Sequence, residues 1–300
     1  MDLAIYISDI SKYQGCEIEK YQFRFGDPNN QDIRKSYELI IKEYPNEASH
    51  LYFGGEFCEN NIPTKRELDK FVKICMEDDL FPVFMTPPVT DYGTEKIDDC
   101  LQYLTYKFEK LAVVVNDLGV LELVNRKYPH IEVILGRILD KTSHDPRILA
   151  INISDYYGEN GLKYARTPGN ISSYSLEIMK KYSINRIEYD LPKTGIELLN
   201  NEMAFSLYWP FSYLTTGRVC LFESMYKQEK FVVGDRLCRH LCKKIDLELK
   251  KPLTGFQVEY GKKPNELTLF QKGNTVYFLN DKSLFFDCKK WFDRIVIQIL

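Results

Sequence analysis

Three hundred residues with 44% apolar content are enough to bury a large core, as one barrel or as two ordinary domains. A formal net charge of −3 argues against a protein that grips nucleic acid with its whole surface and leaves room only for a local basic contact. The N-terminus MDLAIYISDISKYQG has no basic stretch and carries Asp2 and Asp9, so it does not read as a secretory signal, and no run approaches the roughly 18 apolar residues of a membrane span. The expectation is a cytoplasmic chain whose thiols stay reduced, so its eight cysteines need a reading other than a disulfide framework.

Apolar runs alternate with helical stretches in chain order, the pattern of a parallel sheet with crossover helices. Leu3 to Ser8 reads as the first strand and Ser36 to Tyr44 as the helix after it. His50 to Gly55 is the second strand, followed by a helix that Thr64 and Glu67 open as a capping box. FPVFMTPP is the third strand, IDDCLQYLTYKFEK a helix, and Leu111 to Asp117 a continuous apolar run suited to a strand covered on both faces. IEVILGRIL is the fifth strand, SYSLEIMKKYSI a helix and NRIEYDLP the sixth strand. MAFSLYWPFSYLTTGRVC holds a seventh strand with a cysteine segment after it, and DRIVIQIL is the eighth. Eight strands favour an α/β fold of the TIM-type (β/α)8 barrel, in one domain over residues 1–300, above an open doubly wound sheet, whose G-x-G-x-x-G turn is absent. Residues 140–172 read as an irregular insertion and residues 251–287 as a small β excursion before the last strand, built on FQVEY, LTLFQ and VYFLN around a Lys272-Gly273-Asn274 turn.

In a barrel the working face lies at the strand C-termini, which directs attention to Cys58, Asn116, Asp117, Arg137, Glu188, Asp190 and Cys220. Cys238 and Cys242 are i and i+4, so on a helix they share one face and reach one ion or cluster, with Cys220 folding back as a third ligand and Cys58 as a distant fourth. Thiolates select zinc, copper(I) or iron–sulfur clusters over hard cations, and one remote cysteine plus a C-terminal trio is not the paired-knuckle pattern of structural zinc. Cys75 and Cys100, on predicted helices, read as small buried hydrophobes, and so do Cys16 and Cys288. The carboxylates Asp117, Glu188 and Asp190 are suited to acid–base work or to capping helices, Arg137 and Arg218 to an anionic substrate, and LYWPFSY to core packing more than to stacking on a ligand. No G-x-S-x-G elbow, P-loop or H-E-x-x-H motif is present.

Five segments together resemble the peptidase U32 family and, within it, the UbiV-like branch: YFGGEFC at 52–58, VVVNDLGVLELV at 113–124, ILGRILDK at 134–141, YLTTGRVC at 213–220 and LCRHLC at 237–242. The resemblance implies a TIM-type barrel and a 4Fe-4S cluster on Cys58, Cys220, Cys238 and Cys242, with zinc the second candidate. It also implies a role in, or assisting, oxygen-independent hydroxylation or a related redox modification, alongside a UbiU-like partner. The long gap between Cys220 and Cys238 and the 140–172 insertion depart from the branch pattern. Two alternatives stay open: a U32-type peptidase, and a non-enzymatic interaction protein in which a metal fixes the C-terminal segment.

Overall fold

The computed structural model describes residues 1–21, 31–44, 47–140, 142, 144, 153–169, 172–198, 203–227, 238–245, 247–249 and 269–300. The strands among them are β1 (Asp2–Ile7), β2 (His50–Gly54), β3 (Phe81–Met85), β4 (Ala112–Val115), β5 (Glu132–Leu135), β6 (Arg186–Tyr189), β7 (Ala204–Trp209), β8 (Phe211–Thr216), β9 (Leu247–Leu249), β10 (Leu269–Lys272), β11 (Thr275–Leu279) and β12 (Arg294–Ile299). Eight of them close into a parallel barrel in the order β1-β12-β7-β6-β5-β4-β3-β2, the architecture expected of a TIM-type fold. The first and last strands of the chain seal it, with Asp2 to Ile7 in continuous register against Arg294 to Ile299.

The helices are α1 (Gln31–Glu43), α2 (Lys65–Glu77), α3 (Asp91–Lys107), α4 (Leu118–Lys127), α5 (Ile153–Arg166), α6 (Ser173–Lys181), α7 (Leu221–Lys227) and α8 (Lys282–Cys288). The capping box at the start of α2 is formed as its residues predict: the Thr64 hydroxyl accepts from the Glu67 amide, and the Glu67 carboxylate accepts from the Thr64 amide at 2.8 Å. The run at β4 is buried at every position, as a strand with helices on its outer face and the barrel interior on the other must be. None of the described helices is long and apolar enough to cross a membrane.

Three expectations change. The 140–172 stretch is not simply irregular, because α5 occupies Ile153–Arg166 of it, broken at Gly158 where φ is 66°. The segment read as one seventh strand is two: Pro210 separates β7, in the barrel, from β8, which joins a second, antiparallel sheet of order β8-β11-β10-β9. The β excursion is therefore larger than 251–287 in one direction, recruiting β8 and β9, and it ends in α8 in the other. FQVEY lies outside the described residues; the hairpin through Lys272-Gly273-Asn274 forms as expected.

The second sheet covers the C-terminal mouth of the barrel. Phe57, just past β2, packs against Tyr213 of β8 at 5.2 Å and against Tyr277 of β11 at 5.9 Å between ring centres. Below these rings the barrel interior departs from the usual layers of branched aliphatic residues. Glu188, Tyr52, Tyr208, Arg294 and Gln298 are all buried there.

Candidate functional site

Cys58 stands in a tight turn after β2. Gly54 makes the exit possible: its φ is +134°, and a Cβ there would lie 2.3 Å from the Met85 carbonyl oxygen. Cys58 precedes a short 3-10 turn, Glu59–Asn61, and Glu59 fastens this turn to α3 by accepting from the Thr90 amide at 2.6 Å and the Thr90 hydroxyl at 3.0 Å. Cys220 lies between β8 and α7, so it follows a strand of the second sheet and does not close a barrel strand as expected.

Cys238 and Cys242 are not on one helix. His240 between them is left-handed (φ 53°, ψ 40°) and Leu241–Lys243 is a 3-10 turn, so the i, i+4 spacing brings the sulfurs together through a reversal of the chain. The His240 amide donates to Cys238 Sγ at 3.4 Å. Gly273 lets the hairpin approach this turn, for a Cβ on it would meet Cys242 Cβ at 3.0 Å and its φ is +59°.

The four cysteines line one cavity of about 50 Å³ with Tyr6, Glu56, Asn61, Lys243, Lys272 and Asn274. Each of the four sulfurs is within electrostatic range of the other three. Burial pushes the Cys58 thiol up to about 12, and the neighbouring thiols push it the same way. Cys238 and Cys242 also rise through burial, with Lys272 pulling Cys242 back. Such thiols are neutral when empty-handed and ligate only by giving up protons, which a cation must compensate. Among the described residues no group of three or more His, Cys, Asp or Glu side chains is set to hold a single metal ion. The sulfurs share a cavity without converging on one point.

Asn274, which the sequence marked only as a turn residue, ties the ligand loops together: its side-chain amide donates to the Phe57 carbonyl at 2.7 Å and to the Gly217 carbonyl at 2.6 Å. Cys16 is half-buried, while Cys75, Cys100 and Cys288 are buried away from the cavity, as small hydrophobes.

Next to the thiols lies a buried charge cluster. Arg137 Nε and Nη2 donate to the two oxygens of Glu56 at 2.5 and 2.8 Å, and Nη1 donates to Asp190 at 2.6 Å. All three side chains are sealed from solvent, and the guanidinium lies 3.8 Å from the centre of the Tyr208 ring. Burial opposes the charge on Arg137, but its two carboxylate partners outweigh that and keep it protonated. Arg137 is therefore engaged by two buried carboxylates, where its sequence position suggested an anionic substrate. His144 completes the cluster, 3.5 Å from Asp140 and 3.9 Å from Asp190, with its ring 4.4 Å from that of Tyr213. Burial lowers its pKa, yet Asp140 and Asp190 prevail and hold it above the ordinary value.

Glu188 sits deeper, in β6, and accepts from the Tyr208 hydroxyl at 2.6 Å. Burial raises its pKa to about 7, with Tyr208 opposing and Glu56 reinforcing the rise. The other strand-end candidates do structural work. Asp117 caps α4 by accepting from Gly119 and Val120 amides, and Asn116 bridges strand ends, donating to the Thr86 carbonyl at 3.0 Å and accepting from the Ile138 amide at 3.2 Å. Arg218 is 48% exposed, 3.9 Å from Glu59, at the rim beside Cys58.

Glu56 joins the buried cluster and lines the cavity without having been singled out by sequence. Its signal was available: an acid directly after two glycines and two residues before Cys58, at the C-terminal end of a barrel strand. His144 carried no local motif, while Tyr52 and Tyr208 lay in YFGGEFC and LYWPFSY without being singled out themselves. No family model matches the chain, and no curated protein matches it in sequence.

Proposed function

We propose that this chain is an iron–sulfur barrel protein of peptidase U32 type, acting in or assisting an oxygen-independent hydroxylation or a related redox modification. One observation carries the reading: Cys58, from the early part of the chain, lines the same cavity as Cys220, Cys238 and Cys242, at the barrel end that bears the buried Glu56–Arg137–Asp190 cluster. The donor set fits soft metal chemistry, since among the described residues four thiols and, of the Asp and Glu side chains, only Glu56 line the space. A 4Fe-4S cluster binds each cysteine through a different iron and so suits sulfurs that share a cavity without meeting at one point; a lone zinc asks for closer convergence. The amide of His240 on Cys238 and that of Asn60 toward Cys58 are the kind of hydrogen bonds that tune such sulfurs. When bound, the cluster would supply one-electron chemistry, and the chain's own residues would shield it and set the charge around it. A reducing, cytoplasmic setting keeps the thiols available for it.

Anaerobic isolation with iron and sulfide analysis, followed by absorption and EPR spectra of wild type against Cys238→Ala, tests the proposal. Stoichiometric iron and sulfide, reduced in the variant, is the expected result. A colourless protein with no iron after reconstitution overturns it, and one zinc per chain selects the second metal. A UbiU-like partner is part of the same reading, and co-purification of a distinct chain with the wild type is its check. A U32-type peptidase would need a nucleophile or activated water open to substrate, whereas the acids at this mouth are buried and engaged with Arg137 and tyrosines.

A further inference from the structure

Glu188 is the acid of this barrel mouth with the least compensation. Glu56 spends both oxygens on Arg137, and Asp190 pairs with Arg137 and faces His144. Among the described residues Glu188 has no salt-bridge partner and no donor to Oε1, and it is fully buried. Its neighbours come from every side of the lumen. Tyr208 of β7 donates to it, Tyr52 of β2 faces it while accepting from Arg294 Nη1 of β12 at 3.1 Å, and Tyr6 of β1 packs edge-on against Tyr208 at 6.3 Å. Above it, Arg137 stacks on Tyr208, and Glu56 extends from Arg137 to the wall of the thiol cavity. Tyr208, Arg137 and Glu56 thus form a continuous line of buried groups from Glu188 to the cavity wall.

We infer that Glu188 is the proton-exchanging group of this centre, taking up one proton from solvent when one electron enters the thiol-bound metal group and returning it when the electron leaves. The inference rests on the metal reading above. The step balances simply: a low-potential one-electron carrier is oxidised, the metal group is reduced, and Oε1 of Glu188 gains an O–H bond, with no other bond made or broken. Linkage requires the reverse as well, so that protonating Glu188 makes the centre easier to reduce. Glu56 and Asp190 are poor substitutes, because protonating either one would strip the fully buried Arg137 of a charged partner.

Two measurements decide the matter. In the reconstituted protein, the reduction potential is expected to fall as pH rises from about 6 to about 8, and this dependence is lost in Glu188→Gln and retained in Glu188→Asp. A wild-type potential that does not change with pH, or a slope that survives in Glu188→Gln at equal iron content, overturns the inference. The second measurement needs no metal: infrared titration of the cluster-free protein, with its glutamates isotope-labelled, is expected to show a buried carboxylic-acid band vanishing through neutrality and missing from Glu188→Gln. If iron analysis shows that no cluster binds, the proposed function fails on its own evidence, and the infrared result still decides Glu188. A carboxyl already ionised at about pH 6 overturns its role whatever the metal content or the folding of the variant.

Discussion

The two ends of the barrel both hold arginines against acids, and they do so on different terms. At the N-terminal end Arg186 makes a two-pronged bridge to Asp293 at 2.7 and 2.9 Å, and Asp293 is 54% exposed. Arg294 there contacts His50 Nε2 at 2.7 Å, and burial together with that arginine lowers His50 to about 3, so the ring is neutral. The acid at this end reaches water, and among these four side chains Arg294 Nε is the one buried atom without a hydrogen bond. At the C-terminal end Arg137, Glu56 and Asp190 are fully enclosed, and Asp140, Asp190, His144 and Glu188 all keep buried atoms without a hydrogen bond. Unmatched buried polarity is costly, and among the described residues it is concentrated at the C-terminal end, which marks that end as the candidate site.

The comparison breaks most visibly at the arginines. Arg137→Met leaves two carboxyls buried without their cation and is expected to cost about 3–5 kcal/mol in denaturant unfolding. Arg186→Met, whose partner is half in water, is expected to cost about 1 kcal/mol. Equal losses would erase the distinction between the ends.

Glu188 sharpens it through pH. Its folded pKa, about 7, lies above the ordinary 4.5, so the wild type binds this proton more tightly folded than unfolded. That contribution to stability is complete below 4.5 and is lost as pH rises through 7, a difference of roughly 3 kcal/mol. Glu188→Gln should therefore be more stable than wild type at about pH 8, by up to that amount, with the gap closing in acid. A gap that widens in acid has the wrong sign for a buried, uncompensated carboxyl.

The smallest effect belongs to the ligand loops. Asn274→Ala removes two donations to carbonyls and is expected to cost about 1–2 kcal/mol, with metal lost faster to a chelator than from wild type. Unchanged loss rates would mean that the loops need no such tie.

Much of the scaffold was legible because local and global demands agree there. The four valine and alanine positions of β4, the Thr64–Glu67 box and the closing run Arg294–Ile299 each say one thing at every level. Errors arose where a pattern has two structural solutions. Phe205 to Thr215 is apolar and aromatic enough to read as one strand, and Pro210 marks the transfer to another sheet. The Cys238–Cys242 spacing suits a helix face, but a left-handed His240 satisfies it equally. The cysteine set was visible as residue types, with Cys58 added by strand position and family resemblance. The acid cluster was half visible, because Arg137, Glu188 and Asp190 sit at strand ends while Glu56 and His144 come from loops, where charged residues are ordinary.

The four sulfurs hang from turns, a hairpin-braced loop and the approach to a short helix, and none belongs to a strand of the closed sheet. Closure of the cylinder, sealed by its first and last strands, thus asks nothing of an inorganic guest. On the proposed function, loading would be a late event on a finished receptacle, with the unloaded form a folded intermediate in maturation.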